Sequence, residues 1–266
     1  DNRASLANWP GVGVYLYAAD GTALLTDSVI SGNVGPNGAG LRCSTGNRVV
    51  NCLILSNQAN NCGGVYLTGG YLSNCVIMGN VSTGSHSGGV YMDSGGVMRN
   101  CLISGNTAGT FAGGVYAAST YAATGSISGC TIVSNVSATA GAGLVINRTN
   151  TVVNCVIAGN ILAGGALSDL RFYNNAAYES NSLAFSCAST APLTNGNIAA
   201  DPLFQDAAAG NYRLSGGSLC INAGTNEPWM ADVPDLDGRP RLDRFARRAD
   251  MGAYEQVPRG MMAVFR

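Results

Sequence analysis

Hydrophobic and polar residues alternate in short bursts along this chain. Gly64-Val65-Tyr66-Leu67 is followed, after a brief variable stretch, by Asn74-Cys75-Val76-Ile77-Met78-Gly79-Asn80. The first segment recurs as Gly13-Val14-Tyr15-Leu16, Gly40-Leu41-Arg42-Cys43, Gly89-Val90-Tyr91-Met92, Gly114-Val115-Tyr116-Ala117 and Gly143-Leu144-Val145-Ile146. The second closes on Asn33, Asn57, Asn80, Asn106, Asn135 and Asn160, at steps of 24, 23, 26, 29 and 25 residues. A degenerate seventh copy runs through Asp169-Leu170-Arg171-Phe172 and Asn181-Ser182-Leu183-Ala184. Alternation with period 2 predicts strands, and helical spacing persists nowhere. The leucine framework of leucine-rich repeats is missing, and a propeller blade needs a longer period. The pattern predicts an all-β, right-handed parallel β-helix of about seven turns over 1–187, stacked at ~4.8 Å. An irregular C-terminal capping segment follows over 188–266.

The same alternation assigns the faces. Cys52, Cys75, Cys101, Cys130 and Cys155 form one inward column, after Ser28; Ile30, Ile54, Ile77, Ile103, Ile132 and Ile157 form the next. Val14, Leu41, Val65, Val90, Val115 and Leu144 make a third, with Leu16, Cys43, Leu67, Met92, Ala117 and Ile146 beside it. Leu102 points outward. The closing asparagines fall at a corner, where stacked amides can bond along the ladder and left-handed backbone is tolerated. Tyr15, Tyr66, Tyr91 and Tyr116 share one outward position, with Arg42 in the gap and Val145 beyond. This column is the candidate contact site for a ligand or partner. Stacked aromatics serve as a platform for carbohydrate or protein, or simply stabilise the sheet by cross-strand packing.

Composition narrows the chemistry. Charged residues are only 11% of the 266, net charge is −1, and all 14 basic residues are arginine. A basic nucleic-acid surface is disfavoured, and without lysine there is no Walker A loop or Schiff base. One histidine, His86, argues against zinc sites built on several histidines; it reads as a solvated loop residue. No apolar run reaches the length of a membrane span. No cofactor or metal is expected.

Residues 11–187 resemble the right-handed β-helix repeats of bacterial surface proteins, including polymorphic-outer-membrane-protein-like repeats with Gly-Gly-x-Tyr and Asn-x-x-Ile-x-x-Asn signatures. The tail adds Asp201-Pro202-Leu203-Phe204, Asn211-Tyr212-Arg213-Leu214, Ser218-Leu219-Cys220-Ile221-Asn222-Ala223-Gly224, Asp235-Leu236-Asp237-Gly238-Arg239-Pro240-Arg241 and Asp250-Met251-Gly252-Ala253-Tyr254-Glu255. These segments resemble the end of choice-of-anchor Q β-helix proteins. The resemblance implies an exported, secreted or cell-surface protein, and the related tails place cysteines at Cys187 and Cys220, which suggests a disulfide between them. The column cysteines read as small apolar core residues, since in-register neighbours on parallel strands suit a disulfide poorly. Cys62 reads as a partly exposed corner thiol.

Parallel β-helices that cleave polysaccharides need clustered outward carboxylates, or Ca²⁺ ligands with an arginine or lysine base. Residues 1–160 hold only Asp1, Asp20, Asp27 and Asp93 as acids, and Asn-Thr-Asp, Asp-Asp and Gly-His-Gly motifs are absent. No catalytic residue is assigned. Asp235-Leu236-Asp237-Gly238 resembles a fragment of a calcium loop without its third donor and terminal Glu; it reads as an Asx-turn with Arg239, Arg241, Asp243 and Arg244 in surface ion pairs. Phe204, Tyr212, Leu214, Trp229 and Tyr254 are expected to plug the last turn. At the start only Leu6, Trp9 and Pro10 are available, so Trp9, upstream sequence or a neighbouring molecule covers the first turn. The function expected is non-catalytic, structural, adhesive or filament-forming. The alternatives are a polysaccharide lyase or hydrolase and a carbohydrate-binding module.

Overall fold

The computed structural model describes residues 13–18, 20, 22–118, 123–147, 150–173, 182–242 and 247–256; Trp9 and Asp243 lie outside them. The chain winds as a parallel β-helix in which seven turns each contribute one strand to three sheets and the first six also contribute one to a fourth. Sheet 1 takes the first segment of every repeat, as Val14–Leu16, Leu41–Ser44, Val65–Thr68, Val90–Asp93, Val115–Ala117, Leu144–Asn147 and Leu170–Tyr173. Sheet 2 runs from Leu24–Thr26 to Leu183–Ala184, sheet 3 from Val29–Ser31 to Cys187–Ala188, and the narrow sheet 4 from Val34–Gly35 to Ile161–Leu162. Pairing is parallel and in register: Ile30, Ile54, Ile77, Ile103, Ile132 and Ile157 are direct partners on successive turns. The apolar columns converge on one continuous core in which Ile54, Ile77, Ile103 and Ile132 are fully buried.

Corners are made by single residues in the left-handed region. Asn51, Asn74, Asn100 and Asn154 have φ between 51° and 56° and turn the chain from sheet 2 to sheet 3. Ser56, Gly79, Gly105, Ser134 and Gly159 make the next corner, just before the closing asparagines. The positive φ therefore falls on the neighbour of each closing asparagine, which frees that side chain for another task. Asn57 donates its backbone N–H (2.9 Å) and Nδ2 (3.0 Å) to Asn80 Oδ1, and Asn80, Asn106 and Asn135 repeat the pattern toward the next turn. Each Nδ2 also donates back to an isoleucine carbonyl, as Asn106 does to Ile77 O at 3.0 Å. Asn160 ends the series on Asp169 Oδ1, at 2.9 and 3.0 Å. A carboxylate accepts only, so it terminates a one-way chain of donors without leaving a donor unsatisfied.

The glycine that opens each sheet 1 strand fits against the next turn. A Cβ at Gly89 would lie 2.5 Å from Gly114 O and 3.0 Å from Ile103 Cγ2, closer than real contacts permit, so the Gly-x-Tyr pattern is a packing requirement.

The C-terminal segment corrects one expectation. The last turn is closed by residues 183–198, with Cys187 bridged to Ile198 and Ala191 in the core. The rest of the tail lies along the flank. Phe204, Tyr212, Leu236 and Tyr254 cover the outward side of sheet 3, where Leu102 and Val133 become buried. The outward face of sheet 3 is itself apolar, and covering it removes that surface from water. Asn100 Nδ2 donates to Pro234 O (2.8 Å), Gly252 N to Asn154 O (2.7 Å) and Ala253 N to Thr131 Oγ1 (2.9 Å). Arg241, expected at the surface, is wholly buried: it donates to Gly252 O (2.9 Å) and Asn100 Oδ1 (3.3 Å), lies 3.3 Å from Glu255 and sits 5.7 Å from the Trp229 ring. Asp235 makes the expected Asx-turn, accepting from Asp237 N and Arg239 N, while its other oxygen takes Glu255 N.

Candidate functional site

The tyrosine column forms on sheet 1. Tyr15 pairs with Arg42, Arg42 with Tyr66, Tyr66 with Tyr91, Tyr91 with Tyr116, Tyr116 with Val145 and Val145 with Arg171. Their Val, Leu and Met neighbours point into the core, so alternation forces these side chains out. The rings of Tyr66 and Tyr91 lie 4.7 Å apart, and those of Tyr91 and Tyr116 5.7 Å, edge to face. The Arg42 guanidinium bridges the gap, 5.5 Å from Tyr15 and 5.0 Å from Tyr66. Arg171 extends the series, 5.6 Å from Phe111 and 5.5 Å from Tyr173. The alternation of rings and guanidinium groups favours mutual packing by cation–π attraction.

The column is not uniform. Tyr91 is only 6% exposed, packed with Cys62 and Ala118, whereas Tyr15 is 43% and Tyr17 67% exposed. Its middle is therefore a sheet-stabilising ladder, and its open rings lie at the first turn, where Tyr15 and Tyr17 stand 5.7 Å apart. Burial raises the phenol pKa of Tyr66 and of Tyr116, keeping both neutral. His86 joins this face although alternation did not place it there, and Asp93 joins it as alternation requires. His86, read as solvated, packs edge-on against Tyr91 at 4.6 Å and lies 6.3 Å from Tyr116. Its φ of 70° swings it inward from the corner loop, and burial lowers its pKa. Asp93 lies on the same strand and the same side as Tyr91, and is buried. The Thr83–Ser87 loop has no periodicity, so only its steric path to the sheet reveals His86.

Cys62, expected to be partly exposed, is fully buried under Tyr91, and burial pushes its thiol up to about 12. The five column cysteines are buried free thiols. Cys187 and Cys220 also stand as free thiols, together in a small core with Leu214, Val156 and Met251. Among the described residues no three His, Cys, Asp or Glu side chains gather into a metal site, and no helix is long and apolar enough to cross a membrane.

Comparison with family models agrees with this geometry at the level of fold. No curated protein matches the chain. Among solved structures, the crystal structure of pectate lyase Pel9A is similar at 14% identity and a TM-score of 0.48, covering 88% of this chain. The chain spans 65% of that lyase's length. The family model described as right handed beta helix region matches residues 12–198, the span that winds through all four sheets, and the chain belongs to that right-handed β-helix family.

Proposed function

We propose that this protein is a non-catalytic, exported β-helix that acts by adhesion, with the tyrosine–arginine face of sheet 1 as its contact surface and a glycan as the surface it engages. One observation carries the reading. The tail shields the apolar side of sheet 3, while the aromatic end of sheet 1 stays open, with Tyr15, Tyr17 and Arg42 presenting rings and a guanidinium side by side. Aromatic faces stack on the apolar side of sugar rings, and guanidinium groups bind hydroxyl or carboxylate oxygens. The resemblance of the repeats and tail to exported surface proteins supports the location.

Depletion of the protein from solution by insoluble polysaccharides tests the reading. Wild type is retained by at least one of a neutral and an acidic polysaccharide, and the Tyr15→Ala, Arg42→Ala double variant binds about tenfold more weakly. Equal retention of wild type and variant overturns the assignment. A second reading, a polysaccharide-cleaving enzyme, rests on Asp93 and His86 lying beside Tyr91 on that face. It predicts release of new sugar ends that Asp93→Asn abolishes; the adhesive reading predicts none.

A further inference from the structure

A cleft of about 510 Å³ opens where the tail leaves the solenoid, on a different face from the tyrosine column. Its floor is Val133, Ser134 and Ala158, its walls are Phe204 and Tyr212, and Asp169 and Asp201 stand at its edge. We propose that this cleft is a binding site for a small ligand carrying an ammonium group on an apolar body, for which a glucosamine unit is the simplest saccharide.

Three features converge on that class. The volume lies within the usual range for small-molecule clefts, and the lining is mainly apolar with a few polar groups, as such sites require. The two aromatic rings are locked: Phe204 and Tyr212 meet edge to face at 5.4 Å on an antiparallel strand pair, and the Tyr212 hydroxyl donates to Ser134 Oγ at 3.2 Å. Pre-set rings of this kind attract a cation or the C–H face of a sugar. The charge is one-sided, because two aspartates line the cleft and no arginine does. Asp169 is fixed by Asn160 and by Ser189 Oγ at 2.5 Å, so it supplies field rather than a free contact. Asp201 is exposed; its Oδ1 accepts Leu203 N at 2.8 Å, which holds the carboxylate at the rim. The net field favours a cation and repels a uronate.

The experiment is calorimetric titration of the whole chain with trimers of glucosamine, N-acetylglucosamine and galacturonate. The glucosamine trimer binds saturably, and more weakly in high salt. The N-acetyl trimer binds at least about tenfold more weakly, and the galacturonate trimer does not bind. Asp201→Asn, at an exposed position and so neutral for folding, weakens glucosamine binding about tenfold, as does Phe204→Ala. Repeated in the Tyr15→Ala background, where glycan binding by the sheet 1 face is weakened, Asp201→Asn again costs about tenfold, which separates this cleft from that face. Absence of saturable glucosamine binding, equal affinity for the acetylated trimer, or full affinity in Asp201→Asn overturns the proposal.

Discussion

The closing asparagines make the sharpest statement at the scale of single residues. Asn106 accepts two bonds from Asn80 and donates three, to Asn135 Oδ1 twice and to Ile77 O. Replacing it with Ala leaves Asn80 N–H and Nδ2 of the preceding turn without their acceptor and Ile77 O without that donor, at about 3–5 kcal/mol in urea unfolding. Asp169→Asn keeps an accepting oxygen, and its expected cost is about 1 kcal/mol. Equal costs at the two positions would contradict the one-way ladder. The thiols give a pH signature. Burial lifts Cys43 to about 11 and Cys62 to about 12, above an ordinary thiol value of 9.0. The folded chain thus holds these protons more tightly than the unfolded chain, so their stability contribution is complete below pH 9 and is lost as pH rises through 11–12. Alkylation at pH 8 should leave all nine cysteines unmodified until denaturant is added; rapid labelling of Cys62 in the native state contradicts its burial. The cysteine and isoleucine columns were legible in the sequence because a period of 2 fixes which side chains face in. Cys62 and His86 were not, because their burial comes from a loop folding over Tyr91, and no local pattern encodes that contact.

At the scale of elements, the tail behaves as a strap over sheet 3, held by a buried polar knot. Arg241 lies 3.3 Å from Glu255, with Asn100 of the fourth turn as a further acceptor. Burial nonetheless outweighs that arginine and pushes the Glu255 carboxyl up to about 8 from an ordinary 4.5. The folded state therefore binds this proton more tightly. The group's contribution is full below about pH 4.5 and fades as pH rises through 8. Thermal unfolding should give a higher Tm at pH 5 than at pH 8, and Glu255→Gln should flatten that difference; an unchanged slope in the variant counts against it. Arg241→Ala removes the buried donor to Gly252 O and Asn100 Oδ1 and leaves both acceptors unpaired, at about 3–5 kcal/mol. Limited proteolysis should then cut within residues 201–256 while the turns up to 198 stay protected. The motifs of this tail were readable as a unit, yet its docking place was not. Its partners lie more than a hundred residues away, on Asn100 and Thr131, and the outward apolar residues of sheet 3 resemble ordinary surface residues until something covers them.

The outer surface differs from flank to flank. One flank is spent on the strap, the joint between strap and solenoid leaves a cleft with two aspartates, and sheet 1 keeps its aromatic end open. The sequence revealed the repeat, the in-register stack and the tyrosine column, because those follow from periodicity. It concealed the gradient along the column, from 43% exposure at Tyr15 to 6% at Tyr91, which is set by the loop carrying His86. In the proposed function that gradient is central, since it would confine recognition to the first turns. Hydroxyl-radical footprinting of the protein bound to a retained polysaccharide measures it directly. The account predicts that oxidation of Tyr15 and Tyr17 falls severalfold on binding while Tyr91 and Tyr254 stay unchanged. Protection confined to the tail, or no protection of Tyr15 and Tyr17 by any polysaccharide that retains the protein, would contradict it.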